Sequence, residues 1–231
     1  MEQLALGVRL RAASNFASFE PGDNEALLEQ LVVRSTAAGL PPLWVWAAAG
    51  AGRSHLLQAV CARAAEHGRR PAYLPCGAAW LSPAMLSGLE TLAVVCLDDL
   101  EQRAGDDAWE RALFALYNDL AERGGTLIAS AAVAPAAVGF QLADLSSRFA
   151  ASVVWQLKPL PESRHAAVLT SRARTLGIEL PAETLQYLLR RLPRELGPLC
   201  EALERLDSAS LSQQRRLTVP FVRSVLGLSG D

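Results

Sequence analysis

The chain has 231 residues, enough for one large core or for a core domain with a smaller second domain. Its net charge of −2 gives no general attraction to nucleic-acid phosphates, so we expect no strong direct DNA binding. Charged residues interrupt every apolar stretch before the roughly 18 residues of a membrane helix, and the amino terminus lacks a secretion signal, so we expect no membrane partner and a cytoplasmic location.

Short runs of β-branched, aromatic and other apolar residues alternate with segments of helical spacing. Such alternation predicts an α/β fold, in which helices cover both faces of a parallel sheet. The predicted strands are Leu43–Trp46, Ala72–Leu74, Leu92–Leu97, Thr126–Ser130 and Ser152–Leu157.

After Pro159 the strand pattern stops, and amphipathic helical segments separated by prolines and glycines follow. We therefore predict an amino-terminal tail and linker over 1–20, an α/β core over 21–160 and an all-helical domain over 161–231. The helices predicted in that last domain are Glu162–Leu176, Ala182–Leu192, Glu195–Ala209 and Val219–Leu226.

A phosphate-binding loop is predicted over 47–54, between the first strand and a helix over Ser54–Glu66. Gly50 and Gly52 let successive backbone N–H groups point inward, and the positive end of the helix adds to them, so that phosphate oxygens are cradled. The Ser54 hydroxyl is then placed to bind Mg²⁺. An ordinary strand-to-helix turn that contains glycine is the alternative interpretation.

The loop departs from the usual phosphate-binding pattern at two positions. Ala47 replaces the first glycine, and Arg53 replaces the lysine that reaches the terminal phosphates. Arginine keeps the charge but is bulkier and forked. We expect a diphosphate to be held well and the positioning of a γ-phosphate for transfer to be impaired.

A second motif follows the run Leu92–Leu97, where a buried strand ends in Asp98 and Asp99. P-loop proteins use such carboxylates to hold the water shell of Mg²⁺ and to orient an attacking water. Asp98 is the candidate on the metal side, and Asp99 is the candidate on the water side. A polar turn after the strand is the alternative for this pair.

Together these motifs resemble the DnaA-related AAA+ family, which implies an AAA+ core with a five-stranded parallel sheet and a carboxy-terminal helical lid. The resemblance is greatest to the regulatory members that lack a carboxy-terminal DNA-binding domain, and it covers nearly the whole chain. It rests on FxxFxxGDN at 16–24, GxGRSHLL at 50–57, Asp98-Asp99, DLSSR at 144–148, LPRE at 192–195 and QRRLTVPFV at 214–222.

The resemblance implies a role for each matching residue. Arg148 would be an arginine finger acting in trans on the ATP of a neighbouring protein, and Arg194 would be a second sensor on the lid; a solvated surface charge is the alternative for both. The implied cofactor-binding residues are Phe16, Phe19, Asn24, Gly50, Ala51, Gly52, Arg53, Ser54, His55 and Arg194, with Ser54 and Asp98 as metal ligands.

The position of the first sensor departs from the family, because Ala132 stands where a polar residue ordinarily touches the γ-phosphate or the attacking water. Ala47, Arg53 and Ala132 all concern the triphosphate. We therefore expect ADP, or another nucleoside diphosphate, with Mg²⁺ as the cofactor, and poor hydrolysis of ATP by the chain alone.

At the amino terminus, Gln3, Leu4 and Leu6 form a peptide that, by the same resemblance, docks on the DNA polymerase III sliding clamp (its beta subunit). A first strand is the alternative for this segment. The implied function is that of a bacterial, replisome-associated regulator: bound to the clamp, it presents Arg148 to DnaA, stimulates ATP hydrolysis and prevents re-initiation. A homo-oligomer is also expected.

Three other functions remain open at this point. The chain is alternatively an AAA+ loader or initiator adaptor that recruits another factor. A self-acting P-loop ATPase or small-molecule kinase would use Asp98 and Asp99 for its own turnover, against which Arg53 and Ala132 argue. A nucleotide-free interaction module would treat the phosphate loop as vestigial.

Overall fold

The computed structural model describes residues 14–228, so the predicted clamp peptide with Gln3, Leu4 and Leu6 lies outside the described residues. The chain divides into two compact units. Among the described residues, unit 1 holds 14–16, 24–48 and 53–157, and unit 2 holds Ala17–Asp23, Ala49–Gly52 and 158–228.

Unit 1 contains a parallel sheet of five strands in the order β2-β3-β4-β1-β5. Because the strands are parallel, their carboxyl ends lie at one edge of the sheet, where ligands bind in such folds. The strands are β1 (Leu43–Trp46), β2 (Pro71–Pro75), β3 (Val94–Asp98), β4 (Thr126–Ala131) and β5 (Val153–Gln156).

The helices of unit 1 pack their apolar residues against this sheet. Every position of β3 and β4 is buried, as expected of strands covered on both faces. Asp106 caps one helix by accepting hydrogen bonds from the N–H groups of Ala108 and Trp109. The helices are α1 (Glu25–Thr36), α2 (Arg53–Glu66), α3 (Asp107–Glu122) and α4 (Ala143–Ala150).

Unit 2 is helical and has its own apolar core. Leucines on its helices are buried together with Phe221 and Val222, while the opposite helix faces are polar. Gly177 adopts a φ of 75° and so ends the first of these helices with a left-handed residue. The helices are α5 (His165–Leu176), α6 (Ala182–Arg191), α7 (Leu196–Gln213) and α8 (Val219–Leu226).

Several predicted boundaries were wrong by a few residues. The strand predicted from Leu92 begins at Val94, because Leu92 closes a 3₁₀ turn through its N–H bond to the carbonyl of Leu89. The helix predicted from Glu162 begins at His165 after a 3₁₀ turn, and α7 continues to Gln213. In the part of the chain that the structure describes, no helix is both long and apolar enough to span a membrane.

Candidate nucleotide-binding site

The phosphate loop requires glycine at both predicted positions. Gly50 has a φ of 78° and Gly52 a φ of 104°, in the region that side chains disfavour. Helix α2 starts immediately afterwards, at Arg53, one residue earlier than predicted. The N–H groups in the first turn of a helix lack carbonyl partners within that helix, so the start of a helix favours an anion.

Two residues of unit 2 approach the loop backbone closely. A Cβ on Gly52 would lie 2.8 Å from the Phe19 ring, so Phe19 covers the loop at that glycine. A Cβ on Gly197, in the first turn of α7, would lie 2.7 Å from the Cα of Gly50. The pair Gly50 and Gly197 therefore permits a contact between two backbones that no larger residue allows.

Arg53 is buried in unit 1, with 8% of its surface exposed. Its guanidinium donates to the carbonyl of Ala47 at the start of the loop and, through Nη2, to Oδ1 of Asp99 at 2.6 Å. Arg53 thus joins the beginning of the phosphate loop to the acidic end of β3. In this structure the residue that replaces the usual lysine is bonded to the protein itself.

Asp98 is 1% exposed and both of its carboxylate oxygens accept hydrogen bonds. The Tyr73 hydroxyl donates to Oδ2 at 2.6 Å, and the Ser130 hydroxyl donates to Oδ1. Burial of a charged carboxylate is tolerated when such donors compensate for the lost water. The predicted metal-side carboxylate is held by two neutral hydroxyls from the neighbouring strands β2 and β4.

Asp99 directly follows β3 with a φ of 53°, a left-handed conformation that aspartate tolerates better than most residues. Its N–H donates to the Ser130 hydroxyl at 3.2 Å, and its carboxylate bonds to Arg53. Burial and the negative charge of Asp98 raise the pKa of Asp99, and the opposing effect of Arg53 does not cancel them. Asp99 is therefore a better proton acceptor than an exposed aspartate.

The sequence prediction missed Tyr73 and Ser130 as members of this site. Ser130 was detectable as a polar residue at the end of a largely apolar strand, but the first-sensor position was predicted at Ala132, after that strand. Tyr73 gave no signal, because a tyrosine within a predicted strand is most often a core residue. At the predicted first-sensor position, the Ala132 N–H donates to Oε1 of Glu101 at 3.0 Å.

The remaining predicted cofactor residues lie in different surroundings. In unit 1, a ring nitrogen of His55 lies 3.0 Å from the carbonyl of Asn15, and Asn24 is buried. Phe16 begins a 3₁₀ turn, and Ala51 is half-buried within the loop. In unit 2, the exposed Arg194 lies 3.4 Å from a carboxylate oxygen of Glu162.

Arg148 lies on the exposed face of α4, in the last turn of that helix. Its guanidinium carbon is 5.9 Å from the centre of the Tyr117 ring, within range of a cation–π contact. The Tyr117 hydroxyl also donates to the Arg148 carbonyl at 3.2 Å. The next residue, Phe149, is buried and packs against the rings of Trp44 and Tyr117. The backbone of Arg148 is thus fixed while its charge faces outward.

A buried carboxylate that the sequence prediction missed holds the loop before α4. Glu110 is 1% exposed, and its oxygens accept from the N–H groups of Gly105 at 2.7 Å, Gln141 at 3.0 Å and Leu142 at 2.6 Å. Leu142 immediately precedes α4. Glu110 therefore fixes where the helix that carries Arg148 begins.

The donor set at the carboxyl edge of unit 1 suits a nucleotide with its cation. The Ser54 hydroxyl and the Asp98 carboxylate are the hard oxygen ligands that Mg²⁺ prefers. Among residues 14–228, no group of three or more His, Cys, Asp or Glu side chains is arranged to hold a metal. A cation bound here would take its other ligands from phosphate and water, as Mg²⁺ commonly does.

The chain is similar to a known protein family and to several solved structures. Residues 162–226 match the family model described as "Hda, lid domain". Domain III of the Thermotoga maritima replication initiation protein DnaA is similar with a TM-score of 0.77 and 20% identity, over 95% of this chain and 98% of that chain. The chain has the fold of a DnaA-related AAA+ protein. Its helical unit is similar to an Hda lid.

Other AAA+ structures are similar over smaller parts of their chains. AMPPCP-bound DnaA from Aquifex aeolicus has a TM-score of 0.67 and 20% identity, over 87% of this chain and 66% of that one. The Thermotoga maritima RuvB Holliday junction branch migration motor has a TM-score of 0.65 and 14% identity, over 95% and 72%. These likenesses confirm the predicted fold class and the DnaA-related resemblance.

Proposed function

We propose that the chain is a regulator of replication initiation that works in the manner of Hda, the regulatory inactivator of DnaA. In this function it holds ADP in the phosphate loop, binds the polymerase sliding clamp through its amino terminus and stimulates ATP hydrolysis by DnaA. The fold and the Hda-type lid support a DnaA-related protein, and the site geometry supports this particular role.

The phosphate loop supports nucleotide binding. Gly50 and Gly52 take the conformations that turn backbone N–H groups toward an anion, and α2 starts at the loop. DnaA from Aquifex aeolicus binds AMPPCP with the same fold, which favours an adenine nucleotide for this chain. ADP fits better than ATP, because Arg53 and Ala132 replace groups that position a γ-phosphate.

The observation that carries the proposal is the contrast between the charges of unit 1. Arg53, Asp98 and Asp99 are bonded within the protein, whereas Arg148 is exposed at the end of α4 with its backbone held by Tyr117. An arginine presented on a rigid surface is suited to stabilise charge on the γ-phosphate of another protein. This arrangement favours activation of a partner over turnover by the chain itself.

The clamp-binding part of the proposal depends on Gln3, Leu4 and Leu6. An amide and two apolar side chains suit a polar notch beside an apolar pocket. Replacing Gln3 and Leu4 with alanine should abolish binding to the sliding clamp and leave ADP binding unchanged. Clamp binding is measured by surface plasmon resonance with immobilised clamp.

The main experiment measures ATP hydrolysis by DnaA with this protein and with the clamp loaded on DNA. Wild-type protein should accelerate hydrolysis, and Arg148→Ala should reduce that acceleration by a factor of about 10³ or to background, as for arginine fingers in GTPase systems. The matched control is Arg111→Ala, because Arg111 is an exposed arginine of unit 1 that pairs with Asp107. Arg111→Ala should stimulate like the wild type.

The same assay separates the alternatives. Equal stimulation by wild type and Arg148→Ala would remove Arg148 from the proposed role. ATP turnover by the purified chain without DnaA would favour a self-acting ATPase or kinase. Binding to DnaA without stimulation would favour a loader or initiator adaptor.

A further inference from the structure

The Tyr73 hydroxyl bonds to one of the groups predicted to hold Mg²⁺. It donates to Oδ2 of Asp98 at 2.6 Å. Tyr73 stands on β2 opposite Cys96 of β3, and Asp98 is two residues further along that strand. Residues two apart share a face of the sheet, so the strand register itself brings the phenol to the carboxylate.

The other bonds of this cluster make the Tyr73 contact important. Oδ1 of Asp98 accepts from Ser130, and Asp99 is paired with Arg53, so the Tyr73 contact occupies the remaining oxygen of Asp98. A phenol has a single hydrogen, and Tyr73 donates it to Asp98.

A magnesium ion bound to Oδ2 of Asp98 would share that oxygen with the phenol hydrogen of Tyr73. A hydrogen bond to a buried carboxylate is stronger than one between neutral groups, because the charge is poorly solvated. Binding of the cation at this oxygen therefore weakens or displaces the hydrogen bond from Tyr73. In the proposed function the nucleotide phosphates are instead met by backbone N–H groups of the loop.

We propose that Tyr73 is a positioning residue that competes with Mg²⁺ for Asp98, and so weakens the dependence of nucleotide binding on Mg²⁺. The inference rests on the proposed binding of ADP by the phosphate loop. Its consequence is that the protein keeps ADP when free Mg²⁺ is scarce, which suits a nucleotide that supports structure and is not hydrolysed.

Calorimetric titration with ADP tests the proposal, in the presence of MgCl₂ and, separately, of EDTA. Wild-type protein should bind ADP with similar affinity in both. In Tyr73→Phe the ratio of the two affinities should rise about tenfold, because a freed Asp98 accepts the cation without losing a charged hydrogen bond. The control is Tyr117→Phe, which removes a phenol hydroxyl that bonds to a backbone carbonyl elsewhere in unit 1. Its ratio should equal that of the wild type.

A second measurement does not require the Tyr73 variant to fold. The chain contains 3 tyrosines, so fluorotyrosine-labelled wild-type protein gives few ¹⁹F signals, and the Tyr117→Phe and Tyr187→Phe variants assign that of Tyr73 by elimination. Adding Mg²⁺ to the ADP complex should shift the Tyr73 signal and leave that of Tyr117 in place.

Equal affinity ratios in wild type and Tyr73→Phe, with ADP bound by both, would overturn the role of Tyr73 and leave the proposed function intact. A Tyr73 ¹⁹F signal that does not shift when Mg²⁺ is added would also overturn the role of Tyr73. Failure of the folded wild type to bind ADP in either buffer would instead overturn the proposed nucleotide site, and the inference with it.

Discussion

Charged side chains have different surroundings at the carboxyl edge of the unit 1 sheet and on the outer face of α4. At the sheet edge, Arg53 pairs with Asp99, and the hydroxyls of Tyr73 and Ser130 donate to Asp98. On α4, Arg148 is exposed, and its guanidinium lies over the Tyr117 ring, whose hydroxyl bonds to the Arg148 carbonyl.

This difference indicates which charged groups can bind a new partner at low cost. Charges that are already compensated inside a protein are poorly placed to act, because any new partner must first displace an existing hydrogen bond. An exposed guanidinium on an ordered helix gives up water, some side-chain freedom and, for Arg148, a cation–π contact with Tyr117 when it meets a phosphate. The comparison supports our proposal that the sheet edge binds nucleotide and that Arg148 on α4 acts on a partner's nucleotide.

The largest expected loss of stability follows from removing Glu110. Glu110→Ala leaves three backbone N–H groups without their acceptor, and each unsatisfied donor costs on the order of 1 kcal/mol or more. The free energy of unfolding should fall by about 3 kcal/mol, measured by urea denaturation, and stimulation of DnaA should fall as α4 loses its fixed start. The control Glu122→Ala removes an exposed carboxylate from the same helix and should change neither. Normal stability of Glu110→Ala would show that α4 is positioned without this carboxylate.

A smaller effect is expected at the contact between Gly197 of α7 and Gly50 of the phosphate loop, both of which belong to unit 2. Gly197→Ala places a Cβ 2.7 Å from the Cα of Gly50, so the loop must shift and its N–H groups lose their alignment. The affinity for ADP should fall about tenfold by calorimetry, which corresponds to about 1.4 kcal/mol. Gly77→Ala is the comparison variant, because its new Cβ meets nothing closer than a flexible Gln102 carbon at 3.7 Å. Unchanged affinity in Gly197→Ala would show that this contact does not shape the loop.

A further test reduces the support of Arg148 without touching its charge. Tyr117→Phe removes the hydroxyl that donates to the Arg148 carbonyl and keeps the ring below the guanidinium. We expect the free energy of unfolding to fall by about 1 kcal/mol and stimulation of DnaA to fall only a few-fold. Loss of all stimulation would mean that the orientation of Arg148, more than its presence, controls the activity.

The smallest expected effect concerns the pH dependence of Asp99. Burial and the charge of Asp98 raise its folded-state pKa above the ordinary value of 3.8, so the folded protein binds this proton more tightly than the unfolded chain. The resulting stabilisation is complete below pH 3.8 and is lost as the pH rises through the folded pKa. The difference in free energy of unfolding between wild type and Asp99→Asn should therefore fall as the pH increases. A difference that rises with pH would show that the ion pair with Arg53 dominates.

The sequence predicted the α/β core, the helical lid and the resemblance to DnaA-related proteins, because short local patterns of residues indicate those features. Apolar runs define strands, and helical periodicity after Pro159 defines the lid. The glycine positions of the phosphate loop were also readable, since only glycine adopts φ values such as those of Gly50 and Gly52 at low cost. Boundaries were less accurate, because 3₁₀ turns at Leu89–Thr91 and Glu162–Arg164 have no distinct pattern.

Only the tertiary structure decided which partners each polar group has. Tyr73 meets Asp98 because β2 and β3 pair in one register, and Ser130 meets it from the opposite neighbour, β4. Glu110 reaches Leu142 across 32 residues of sequence. Such contacts depend on strand order and helix packing. Residue types alone therefore determined which chemistry was present, and the fold determined which of these charges are compensated and that Arg148 faces outward.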